Sequence, residues 1–304
     1  MTHLSKTAAH SGSESTAKEG SSLTPRGPIL RETPFYRFVR EERLFCTTLV
    51  HLLLQRGRNL KDFLELVNSR LPGPGIDTSH LEEAEVYMEF TRLRDHWHGL
   101  GKDNTAKRDL IFDLLERAGG LTRHLDTVPE GITEFNQFFM GSRGGTRHRK
   151  IAYPGSWSVD ILAQRFEDRP QVFREFCRFK WAFNIKPDIV VLVPGSGPLC
   201  IEAKLESGEG QYPASQGERV IFDRMFGPRG GRVQQVELQQ FMFETLLATP
   251  CHLLTIGRTP VGKADKRSQT PFLTWMEAFQ ALDVAASIPY VHKLIGENVH
   301  LRAP

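Results

Sequence analysis

A chain of 304 residues, 39% hydrophobic and 25% charged, has the composition of an ordinary soluble globular protein with enough length to bury a real core. Its formal net charge of +3 is far below that of a DNA-packaging protein, so the placement of charge along the chain carries more information than its sum. Cys46, Cys177, Cys200 and Cys251 form no Cys-x-x-Cys pair and sit among apolar neighbours, which suits reduced thiols in a cytoplasmic protein better than disulfides or a zinc site. No stretch reads as a signal peptide, and the longest apolar run, from Leu44 to Leu54, is broken by Thr47, Thr48 and His51, so the expectation is a protein without a membrane span.

Residues 1–32 are rich in Ser, Thr, Gly, Ala and Lys and nearly free of apolar side chains, which predicts a disordered tail ahead of a single domain over 33–304. A first helix is expected from Thr33 as N-cap, with Pro34 in its first turn, to Gln55. At about 100° per residue, Phe35, Leu49 and Leu53 cluster on one side, and Glu42 falls among them, a carboxylate on the buried stripe. Residues 59–140 read as a helical insertion with helices at Leu60–Leu71, Leu81–Trp97, Ala106–Ala118 and Thr133–Met140. Within it, His96 and His98 lack a third placed ligand, and Gly99-Leu100-Gly101-Lys102 lacks the spacing of a phosphate-binding loop.

From Gly141 a flexible segment carries Arg143, Arg147, Arg149 and Lys150, and Arg229 and Arg232 recur in the Gly-rich stretch 227–232. These are candidate phosphate contacts, although short basic loops are commonly solvated surface. A helix opening at Pro170 leads to the apolar, β-branched run Ile189-Val190-Val191-Leu192-Val193. The turn residues 194–198 follow, then Leu199-Cys200-Ile201 running into Glu202-Ala203-Lys204, which together predict a hairpin of buried strands. A helix over 232–248 and a strand over Cys251–Ile256 come next, and the last forty residues are expected to pack as helices.

Strand alternation sends Glu202 and Lys204 to one face, and the hairpin brings Asp188 to the same end of the sheet. Two acidic side chains, a backbone carbonyl at Ala203 and waters make a hard-oxygen site suited to Mg²⁺, with Mn²⁺ as a substitute. An adjacent lysine suits the orientation of a water nucleophile, so the residue types fit phosphodiester hydrolysis. Each residue alone has an ordinary explanation, Asp188 as a turn carboxylate and Lys204 as a strand-end lysine. It is the set that asks for a function.

Pro187-Asp188, a spacer of 13 residues, and Glu202-Ala203-Lys204 resemble the signature of the PD-(D/E)XK nuclease superfamily, the restriction-endonuclease-like group. The resemblance covers the first helix and residues 187–256. It implies an α/β fold with a mixed central sheet flanked by helices, in the order helix, three strands, helix, strand, here with the helical insertion between the first helix and the catalytic strands. The first core strand is expected in 149–153 or 181–185. It further implies Asp188, Glu202, the Ala203 carbonyl and Glu42 around the metal, with Lys204 assisting the attacking water. On the later helix Gln239 interrupts an apolar face of Val236, Phe243 and Leu246, and a glutamine and an aromatic four residues apart occur on this helix in some members. A buried amide satisfying backbone groups is the other reading of Gln239.

Glu206 and Glu209, just past the strand, are candidates for outer contacts. The expected function is therefore a metal-dependent nuclease with DNA favoured over RNA, in a setting such as restriction, repair or anti-phage defence. Homodimers are common in the group because cutting both strands needs two sites. The alternative is a catalytically silent nucleic-acid-binding or scaffold protein that retains the fold.

Overall fold

The computed structural model describes residues 42–55, 57–125, 128–142, 149–205, 210–258 and 270–284, together with Pro289, Val291 and Ile295. The tail, Thr33 to Phe35, Arg143, Arg147, Glu206 and Glu209 lie outside the described residues.

The centre is a five-stranded mixed sheet. Its strands are β1 (Glu85–Met88), β2 (Ile189–Leu192), β3 (Leu199–Ala203), a fourth at His252–Gly257 and a fifth at Phe272–Thr274, neighbouring one another in that order. The pairs β1·β2 and β2·β3 are antiparallel; the fourth strand is parallel to β3, and the fifth parallel to the fourth. A two-stranded ribbon, β4 (Gln211–Tyr212) and β5 (Val233–Gln234), lies on the crossover, so the fourth and fifth sheet strands are β6 and β7.

Strand alternation divides the core in two. Ile189, Val191, Leu199, Ile201, Ala203, Leu254 and Ile256 face one layer, where α1 (Glu42–Gln55) contributes Phe45, Leu49, Leu52 and Leu53 and α2 (Gly57–Asn68) contributes Phe63, Leu64 and Val67. Val190 and Cys200 face the other layer, built from α3 (Arg92–Gly99), α4 (Asn104–Arg117), α5 (Ile132–Met140), α6 (Val159–Arg165), α7 (Pro170–Asn184), α8 (Gln216–Phe226) and α9 (Gln235–Gln240). Phenylalanines dominate that second core: Phe139 stacks on Trp157 at 3.8 Å and Phe166 on Phe176 at 4.9 Å. A further helix, α10 (Trp275–Gln280), caps the first layer with Trp275, Ala278 and Phe279. Among the described residues no helix is long and apolar enough to cross a membrane.

Several expectations are corrected. The segment 81–97 is a 3₁₀ turn at Leu81–Glu83, then β1, then α3. Glu85 and Tyr87 are exposed while Val86 and Met88 turn inward onto α1 and α2, a period of two that the surrounding helical pattern hid. The helical insertion over 59–140 is thus cut by a strand: α2 belongs to the α1 layer, and α3 to α7 lie between β1 and β2.

Neither expected site for the first core strand is one. Residues 181–184 end α7. Residues 150–152 join no strand, and their backbone partners are side chains: buried Asn136 donates from Nδ2 to the Lys150 carbonyl (2.9 Å) and accepts from the Ala152 amide (2.8 Å), while Asn104 Oδ1 accepts from the Ile151 amide (2.9 Å). The helix expected over 232–248 begins at Gln235 and ends in a π-helical turn, Phe241–Leu246. The last forty residues contain β7 as well as helix.

Candidate active site

The site forms where β3 leaves the sheet. Asp188 precedes β2, and the corner after β1 pins it: the Glu89 amide donates to the Asp188 carbonyl (3.0 Å) and the Phe90 amide to the Pro187 carbonyl (3.1 Å). Phe90 in turn stacks on Phe243 at 5.6 Å, in the aromatic position four residues after Gln239. The antiparallel register Ile189↔Ile201, carried one step further, sets Asp188 opposite Glu202. Asp188 Oδ2 accepts from the Ala203 amide at 2.8 Å, and its other oxygen has no hydrogen bond among the described residues.

Glu202 is 1% exposed and points into the second layer with Cys200. Its Oε1 accepts from Lys204 Nζ and its Oε2 from Gln239 Nε2. Gln239 is fully buried, and its Oε1 accepts from Cys200 Sγ at 3.4 Å, so the inward amide holds the acid and a thiol on one strand rather than backbone groups. The backbone of Lys204 is clamped on both sides: its amide donates to the Ile256 carbonyl (2.7 Å) and its carbonyl accepts from Trp275 Nε1 (3.0 Å). Glu42, half-buried at the start of α1, accepts at Oε2 from the Leu205 amide (3.0 Å). Asp188, Glu202, Lys204, Glu42 and Gln239 therefore come to one place, from both layers of the fold.

Charge is unbalanced there. Burial, and then the negative charge of Asp188, push the Glu202 carboxyl up to about 7 against the opposing pull of Lys204 and Gln239. Burial likewise raises Asp188, and the Ala203 amide and Lys204 only partly offset it. Burial alone pulls the Lys204 ammonium down, but Glu202, Glu42 and Asp188 more than reverse this and hold it above the ordinary lysine value. A charged lysine thus serves more carboxylate than it can neutralise. Among the described residues no group of three or more His, Cys, Asp or Glu is placed to hold a metal by itself. The donor set consists of Asp188 and Glu202, with Glu42 held on the Leu205 amide.

Two neighbours escaped the sequence reading. Cys46, one turn after Glu42 on α1, is buried, and its thiol is pushed up by burial and by the charges of Asp188, Glu42 and Glu202. Its spacing of four from Glu42 was the signal. Tyr212, on the two-residue strand β4, packs against Trp181 at 5.6 Å, and its hydroxyl is raised by burial and by Glu202. So short a strand has no periodicity to find it by.

Among the described basic candidates, none is recorded in contact with the acids. Arg149 and Lys150 are exposed. The Arg232 guanidinium pairs with Asp223 at 2.9 Å, and the Arg229 amide donates to the same carboxylate, which these bonds hold below the ordinary aspartate value. All four cysteines are free, three of them buried. Comparison with protein-family models, with curated proteins and with solved structures finds no match to this chain.

Proposed function

We propose that this chain is a metal-dependent nuclease that hydrolyses phosphodiester bonds, with DNA the favoured substrate. The observation that carries the reading is Glu202, a nearly sealed carboxylate held on one oxygen by Lys204 and on the other by Gln239, directly across from Asp188. Burying that much negative charge beside one ammonium is costly unless a cation or a reaction uses it. The order α1, β1–β2–β3, α9, β6 agrees with the restriction-endonuclease-like core implied by the resemblance, and the acids stand at the carboxyl end of β3, where open α/β sheets place their ligands.

A divalent cation fits this deficit of positive charge, and Mg²⁺ keeps most of its waters, so two carboxylates and a carbonyl are enough to hold it. Asp188, Glu202 and the Ala203 carbonyl would hold it, with Glu42 at the edge. Such an ion supplies an acidified water and neutralises charge on the phosphate. Lys204 is kept charged by its carboxylate neighbours, so it acts as a hydrogen-bond donor, to the attacking water and to the oxygens on which charge builds. Gln239 fixes the orientation of Glu202. Lys204 Nζ shares Oε1 of Glu202, an oxygen that would also be available to a bound cation.

The test is cleavage of plasmid, linear double-stranded DNA, single-stranded DNA and RNA by the purified protein with Mg²⁺, Mn²⁺ or EDTA. Lys204→Ala should lower the rate about 10²–10³-fold, the loss typical of one transition-state donor. Equal traces of cutting from both proteins, or cutting that survives EDTA, would sink the proposal.

A further inference from the structure

The corner between β1 and α3 holds a charged group that the catalytic reading does not use. Glu89 adopts φ 48°, a left-handed conformation that residues with a Cβ seldom take. Its amide is bonded to the Asp188 carbonyl, so the corner and the site are one structure. The Glu89 side chain ends between two cations: Oε2 lies 3.1 Å from Lys186 Nζ and Oε1 lies 3.2 Å from an Arg43 guanidinium nitrogen. Lys186 is two residues before Asp188, and Arg43 follows Glu42. The three side chains are 43%, 35% and 73% exposed, in contrast to the sealed Glu202. Arg94, on α3, adds a third positive charge that acts on the same carboxylate.

Exposed ion pairs add little stability, so they do not account for a strained corner. Two cations, each on its own oxygen of one anion, present what the two nonbridging oxygens of a phosphodiester would meet. We propose that Arg43 and Lys186 form a phosphate-binding rim for a nucleic-acid strand passing Asp188, and that Glu89 holds these cations apart and in place until a phosphate displaces it. This rests on the nuclease reading and names the residues by which that site takes its substrate. The rim touches phosphates only, so it binds without regard to sequence.

The experiment is fluorescence anisotropy of a short fluorescein-labelled DNA duplex with the full chain, titrated with salt in EDTA so that nothing is cut. Arg43→Gln and Lys186→Gln should each weaken binding severalfold and reduce the slope of log affinity against log salt by about 0.9 per lost phosphate contact. Glu89→Gln should tighten binding severalfold, because it frees two cations; a merely structural salt bridge predicts no gain. Arg43, the most exposed of the three, carries the test if a Lys186 variant melts early. Absent binding by the parent protein, or unchanged slopes in Arg43→Gln together with no gain in Glu89→Gln, overturns the rim. The latter result leaves the nuclease reading standing if Mg²⁺-dependent cleavage persists. Altered slopes and tighter Glu89→Gln binding, in a protein that never cuts, support the rim and refute the nuclease.

Discussion

Glu202 is the residue on which most depends, and its raised carboxyl makes a prediction about pH. The ordinary value of 4.5 applies in the unfolded chain and about 7 in the folded one, so between these values the folded state binds more protons than the unfolded state. Stability without metal must then be greatest below about pH 4.5 as far as this group is concerned, and fall as pH rises toward 7. The size is on the order of a few kcal/mol, and Glu202→Gln should flatten that part of the profile in urea unfolding followed across the range. A profile identical in the variant and the parent would assign the slope to other groups. Asp188, Glu202 and Lys204 were legible because a strand has a strict period of two and a hairpin a short turn. Glu42 and Gln239 were legible as polar residues on apolar helical stripes. Their partners, the Leu205 amide and Glu202 itself, were not, because no helical period says which strand a stripe will face.

At the level of elements, the errors fall where tertiary contacts override local pattern. Glu85–Met88 is four residues long, bounded by helical signals, and becomes a strand because β2 offers it a backbone ladder. Residues 150–152 carry the opposite lesson, since a partly apolar segment found its hydrogen bonds in Asn136 and Asn104 and joined no sheet. Asn136→Ala leaves two backbone groups near the second core without partners. It should cost about 1–3 kcal/mol in denaturant unfolding, as expected for losing one buried and one half-buried hydrogen bond and stranding the Ala152 amide. A loss below about 0.5 kcal/mol would mean that water replaces the amide there. The helix opening at Pro170 was visible in sequence; the rings it packs against, Phe166 stacked on Phe176 and Phe222 tilted against Phe173, were not.

At the scale of the molecule, two cores on opposite faces of one sheet meet at the carboxyl end of β3, and the acids are supplied from both. On the proposed function, a divalent cation bound there would add to global stability. At about a hundred times its dissociation constant it would add about 2.7 kcal/mol, which in a chain of this size raises the melting temperature by roughly 4–5 °C. Thermal melting with Mg²⁺ or Mn²⁺ against EDTA should show the shift at about pH 8 and lose most of it at about pH 5, where Glu202 is protonated. Asp188→Asn should abolish it, and an undiminished shift in that variant would place the metal elsewhere. By itself the sequence determined the hairpin of β2 and β3, the helical stripes and the residue types of the site, all of which depend on periods and turns within a few neighbouring positions. Only the tertiary structure decided that β1 lies at 85–88, that α1 and α9 approach β3 from opposite faces, and that Glu89 gathers Arg43 and Lys186 beside Asp188. Those are pairings between distant parts of the chain, chosen by which surfaces can be buried together, and local pattern does not record them.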